Sequence, residues 1–215
     1  MAIYAVKPLF QKSLKPLADL FTRLKVHPTV INLLALGVSL TAGILLFFRA
    51  QFTFFLLILP LLFFIRIAFN ALDGMVARAL KVSSARGEIY NEFIDRISDV
   101  VIFGGLAFSF ITQAIGGHLT WSFVSGGEFP AGMVLIILLL LNSYLGILSK
   151  SAGGERIYSG FIGKADRMFY LGLFCLIYYF YPHYFVWPFF YLFVIIGTVI
   201  SIGQRLWQAV KSLKN

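Results

Sequence analysis

Apolar residues occupy this chain in long blocks separated by short polar bridges. The first block is interrupted: Val6, Leu9, Phe10, Leu14, Leu17, Leu20 and Phe21 recur at helical spacing, with Lys7, Lys12 and Lys15 between them. That alternation predicts a helix over 4–24 that lies on a membrane surface rather than crossing it. The stretch "HPTVINLLALGVSLTAGILLFF" then opens at Pro28, a residue suited to the first turn of a helix, and stays apolar to Arg49. About twenty such residues cross the roughly 30 Å hydrocarbon core of a bilayer. Further blocks follow near 53–80, 87–114, 131–148, 168–181 and 184–207. The pattern predicts an all-α integral membrane protein, with six transmembrane helices behind an N-terminal amphipathic surface helix, in a single domain over 1–215.

Composition agrees with that reading. Of 215 residues, 60% are hydrophobic and 13% charged, whereas a soluble domain carries roughly 25% charged residues. The formal net charge of +9 takes its meaning from position. Lys7, Lys12, Lys15, Arg23 and Lys25 precede the first span. Arg78, Lys81 and Arg86 lie between the second and third, and Lys150, Arg156, Lys164 and Arg167 between the fourth and fifth. Arg205, Lys211 and Lys214 end the chain. The opposite side holds Arg49 alone, and Arg66 and Arg96 fall within spans. This asymmetry places both termini in the cytoplasm and the protein in the cell's inner membrane, and it accounts for the basic balance without nucleic acid. The aromatic run "YYFYPHYFVWPFFYLF" marks the far interface. His27, His118 and His183 lie far apart near span ends and read as interfacial residues. Cys175, the sole cysteine, cannot form an intrachain disulfide.

One stretch breaks the apolar pattern. Asp73, Glu88, Glu92, Asp95 and Asp99 fall within "NALDGMVARALKVSSARGEIYNEFIDRISD", where the second span meets the third. Charged groups near hydrocarbon are costly, so such a cluster reads first as a functional site. On one helix Arg66, Asn70, Asp73 and Ala77 share a face. On the next, Asn91, Asp95 and Asp99 recur every fourth residue, overlapped by Glu88 and Glu92. Helices joined by a short loop are expected to be neighbours, which would gather these oxygens near one membrane surface. Several oxygen donors without a His or Cys cluster suit Mg²⁺, Mn²⁺ or Ca²⁺. The small residues Gly74 and Ala77 would let a diphosphate approach the backbone. The plainer alternative is that these acids pair with Arg66, Arg78, Arg86 and Arg96.

The same residues carry a resemblance. Asn70, Asp73, Gly74, Ala77, Arg78, Gly87, Asn91 and Asp95 occupy the frame D-x2-D-G-x2-A-R-x8-G-x3-D-x3-D, the signature of the CDP-alcohol phosphotransferase family. The six-span plan with a leading surface helix is similar too. The resemblance implies transfer of a phosphatidyl or related group from a CDP-linked donor, with CDP-diacylglycerol expected, to an acceptor hydroxyl, releasing CMP. It further implies a Mg²⁺ or Mn²⁺ cofactor at Asn70, Asp73, Asn91 and Asp95, with Asp95 as the base. CDP contacts would come from Asp73, Gly74, Ala77, Arg78 and Gly87, and the protein would be a homodimer. The departure is Asn at the first and third aspartate positions, which removes two formal charges. Glu92 and Asp99 are the nearby acids that could compensate.

A second polar segment, "ERIYSGFIGKADR", supplies Arg156, Lys164 and Arg167 as candidate contacts to the acceptor. It serves equally as an ordinary basic loop. Two other readings stay open: a catalytically silent family member that binds nucleotide or lipid, and a cation-coupled transporter. The second fits less well, because a transporter places its ionisable groups near the bilayer midplane.

Overall fold

The computed structural model describes residues 2–115, 123–154, 157 and 159–213. Among these, every regular element is a helix: α1 (Ala2–Arg23), α2 (Pro28–Phe47), α3 (Phe55–Ala79), α4 (Ala85–Ile115), α5 (Phe123–Ser151), α6 (Lys164–Phe180) and α7 (Val186–Ser212). Pro28 takes the first position of α2, and the ring of His27 caps that helix by accepting from Thr29 N at 3.3 Å. Four helices among the described residues are long and apolar enough to cross a membrane: α2, α3, α5 from Gly127, and α7. The chain is an integral membrane protein of helices. The two expected spans that do not stand out are instructive. α4 runs 31 residues, about 46 Å, and its first half is charged. α6 has only 17 residues, about 25 Å.

Six helices close a ring in the order α2, α3, α6, α7, α5, α4 and back to α2, and α1 lies against α3. The ring interior is apolar over its middle, filled by Leu46, Phe63, Phe103, Leu106, Leu139, Leu171, Phe190 and Val194. The outside is apolar as well, with Leu33, Leu61, Ile137 and Leu192 all exposed. Exposed apolar side chains around an apolar interior are what a lipid solvent requires. α2 and α4 touch backbone to backbone: a Cβ on Gly43 would sit 2.7 Å from the Val101 carbonyl, and one on Gly105 would collide with Gly43 itself. Small residues permit this approach, which lipid-embedded helices use in place of a hydrophobic driving force. α1 packs Leu14, Ala18 and Phe21 on Leu72 and Val76 of α3, leaving Leu9 and Leu20 exposed.

At the end of the bundle where α2 finishes, Arg49 is buried rather than exposed. It donates to Glu128 of α5 at 2.5 Å and to Ser109 of α4 at 2.9 Å, and its guanidinium lies 4.0 Å from the ring centroid of Trp187 of α7. Arg49 thus joins four helices.

Candidate active site

The opposite end of the ring is polar inside. α3 and α4 are consecutive, yet they do not pack extensively on each other. α2 packs against both, and long side chains span the space between them. The expectation that chain adjacency would pack α3 directly on α4 is corrected accordingly: α2 lies on one side of both and α6 on the other, and the polar crevice between α3 and α4 is bridged by side chains.

Asp99 anchors the floor of this crevice. Its Oδ1 accepts from Arg66 of α3 at 3.2 Å, and its Oδ2 accepts from Arg167 of α6 at 2.6 Å and lies 3.3 Å from Arg96 Nη1. Arg66 also donates to Ser39 of α2 at 2.9 Å, and Arg96 reaches Ser143 of α5. One carboxylate therefore ties α3, α4 and α6 together, and its arginines extend the tie to α2 and α5. Asp99 and Arg167 are each only 2% exposed. Buried charges of this kind persist when paired and hydrogen-bonded. Glu92 lies about two turns from Asp99 on the same helix, with Arg96 Nε 3.3 Å away, and Glu88 binds Lys150 at 2.6 Å on the surface.

Towards the mouth stand the signature residues. Asp73 is buried, and its Oδ1 accepts from its own helix at Gly74 N, 2.5 Å away. Asp95 is buried on the facing helix and forms an ion pair with Lys164 of α6. The Asn91 amide oxygen is buried without a hydrogen-bond partner. Beside Gly74 there is room: an added Cβ would meet only the flexible Arg78 guanidinium, at 3.4 Å. Ala77 is half-buried, and Arg78 and Gly87 are exposed at the rim. Among the described residues no three His, Cys, Asp or Glu side chains assemble as a metal cluster. That follows from the two Asn substitutions, which leave carboxylate and amide oxygens in alternation. The donor set is oxygen only and includes one orphaned buried acceptor, so it fits a hard divalent ion.

The start of α6 is held firmly. Asp166 Oδ2 accepts from Gly163 N at 2.7 Å, the half of a capping box that a glycine N-cap allows, and Ser201 of α7 accepts from Ile162 N at 2.8 Å. Arg205 of α7 donates to the carbonyls of Ser159 and Asn142, at 2.9 and 2.6 Å. Of the three expected acceptor contacts, Lys164 faces Asp95 and Arg167 faces Asp99, while Arg156 lies outside the described residues. Pattern reading passed over Arg205, which resembled an ordinary tail charge, and Asn32 of α2, whose buried amide oxygen has no partner.

Comparison with known proteins places this arrangement. The chain is 38% identical to the inner membrane protein YnbA of Escherichia coli over 219 residues, covering 100% of this chain and 96% of YnbA. Its fold is similar to that of phosphatidylinositol phosphate synthase PgsA1 of Mycobacterium tuberculosis. Against PgsA1 in complex with manganese and citrate the TM-score is 0.72 at 22% identity, covering 92% of this chain and 88% of that one. Against PgsA1 with CDP-DAG bound the TM-score is 0.71 at 21% identity, covering 90% and 92%. The profile of the CDP-alcohol phosphatidyltransferase family matches residues 25–203, which include the whole crevice, and the chain belongs to that family.

Proposed function

We propose that this protein transfers a phosphatidyl group from CDP-diacylglycerol to an acceptor hydroxyl in phospholipid synthesis. The acceptor oxygen attacks the lipid-side phosphorus, the bond to the bridging oxygen breaks, and CMP leaves with that oxygen. Asp95 takes the acceptor's proton, a role that requires hydrogen-bond reach of the hydroxyl. Asp73, with Asn70 and Asn91, would hold Mg²⁺ or Mn²⁺, and Asp95, the fourth signature position, would stand beside that ion. The ion would neutralise diphosphate charge, as in other phosphoryl transfers. Gly74, Ala77, Arg78 and Gly87 would receive the CDP portion, Arg78 through its guanidinium. The acceptor would enter beside the segment holding Arg156, Lys164 and Arg167. The proposal includes all six ring helices as spans of one domain, both termini in the cytoplasm, placement in the inner membrane, and a homodimer.

The observation that carries this reading is that Asp73 and Asp95 are buried on facing helices, Asp95 paired with Lys164 of α6, while the buried amide oxygen of Asn91 has no hydrogen-bond partner. Manganese and CDP-DAG in the PgsA1 structures support it. The test is lipid product analysis of the purified protein given CDP-diacylglycerol, Mn²⁺ and a panel of polyol, amino-alcohol and sugar-phosphate acceptors. A new phosphatidyl ester with matching CMP is expected. Donor binding with no product from any acceptor would make it a silent binding protein.

A further inference from the structure

Lys164 sits where a family site of four aspartates would call for positive charge. Its ammonium pairs with Asp95, and its position is built rather than adventitious. Its helix begins at the Gly163 N–H held by Asp166, the preceding Ile162 N is held by Ser201, and Arg167 three residues on is clamped to Asp99 at 2.6 Å. The backbone on both sides of Lys164 is therefore pinned, and the side chain is directed into the crevice at Asp95.

The charge at the four signature positions explains why. Replacing two aspartates with Asn70 and Asn91 removes two negative charges, the charge of one divalent ion. Asp73 and Asp95 remain, and Lys164 already neutralises one of them. A single divalent ion already takes this set to a net positive charge, before the donor's diphosphate is counted. A second would enter surroundings that are already positive, with Arg66 and Arg167 buried below. Like charges in a poorly solvated site repel strongly. We infer that this protein is a one-metal enzyme: the ion sits on Asn70, Asp73 and Asn91, and the Lys164 ammonium serves as the resident second cation on Asp95. Asp95 is thereby kept off the metal, paired with Lys164 in place of an ion. This inference rests on the metal-dependent reading above.

Counting bound Mn²⁺ on the full-length protein in detergent tests it, using the loss of the free-ion electron paramagnetic resonance signal with and without CDP-diacylglycerol. Wild type is expected to take up one ion per chain, and Asp73→Asn none. Asp95→Asn should leave the count at one. The triple variant Asn70→Asp/Asn91→Asp/Lys164→Gln should take up two, with spin coupling between them in the spectrum. Two ions on wild type, loss of the ion from Asp95→Asn, or a count of one in the folded triple variant would overturn the inference while leaving metal dependence standing. No ion on wild type, even with donor present, would overturn both the inference and the metal reading beneath it.

Discussion

Two buried charge clusters cap the two ends of the same helix ring, and they differ in how completely they are matched. At the far end one guanidinium meets one carboxylate: Arg49 has Glu128, Ser109 and the face of Trp187. The unpaired buried groups there are the neutral Trp187 Nε1 and Tyr191 hydroxyl. At the polar end Asp99 faces three guanidiniums, Asp95 faces Lys164, and Arg66 Nη1, Arg167 Nε and the Asn91 oxygen stay without hydrogen-bond partners. The first cluster is complete as a fastening between helices. The second leaves charged and amide groups with hydrogen-bonding capacity unspent beside the residues proposed to hold the ion.

The contrast can be broken at several points. Asp95→Asn should lower turnover about 10²- to 10⁴-fold, the usual range for losing a positioned base, with CDP-diacylglycerol binding kept. Turnover within a fewfold of wild type would remove Asp95 as the base. Asp99→Ala should strand three guanidiniums and cost about 3–5 kcal/mol, read as a lowered unfolding midpoint in detergent. Wild-type stability with weakened Mn²⁺ binding would instead make Asp99 an auxiliary metal acid. Glu128→Ala should cost about 3 kcal/mol by leaving Arg49 buried without a carboxylate, with turnover per folded molecule unchanged. Replacing both partners, as Arg49→Met with Glu128→Leu, should restore most of that stability, since paired buried charges exchange well for apolar groups. A loss of turnover in the folded double variant would show that the far end also serves the chemistry. The smallest effect belongs to Glu92→Gln. Its ion pair with Arg96 is partly solvated, so under about 1 kcal/mol is expected, with the Mn²⁺ affinity unmoved.

Much of this was legible from pattern. The apolar blocks place α2, α3 and α4 to within two residues, whereas α7 runs five residues past its expected end, and fixed helical spacing puts Asn70 with Asp73 and Asn91 with Asp95. The partners were not legible. Arg49 and Glu128 are 79 residues apart, and Arg167 and Asp99 are 68 apart. Periodicity reports which face of a helix is polar, and only the order of helices in the ring says what that face meets. For the same reason Asp99, one turn from Asp95 on the same face, was expected as an auxiliary acid, and its place among three arginines was not legible. α5 extends beyond the expected 131–148 because Glu128, polar in sequence, is paired inside the bundle.

The central claim is that Asp73 organises a metal-dependent transfer from a CDP-linked lipid. CMP release from CDP-diacylglycerol by purified wild type and Asp73→Asn, with Mn²⁺ and again with chelator, tests it most directly. The account predicts CMP formation by wild type with Mn²⁺ alone, abolished by chelator and by Asp73→Asn, while the variant keeps the wild-type unfolding midpoint. CMP release that survives chelation, or that survives in folded Asp73→Asn at near wild-type rate, would contradict it.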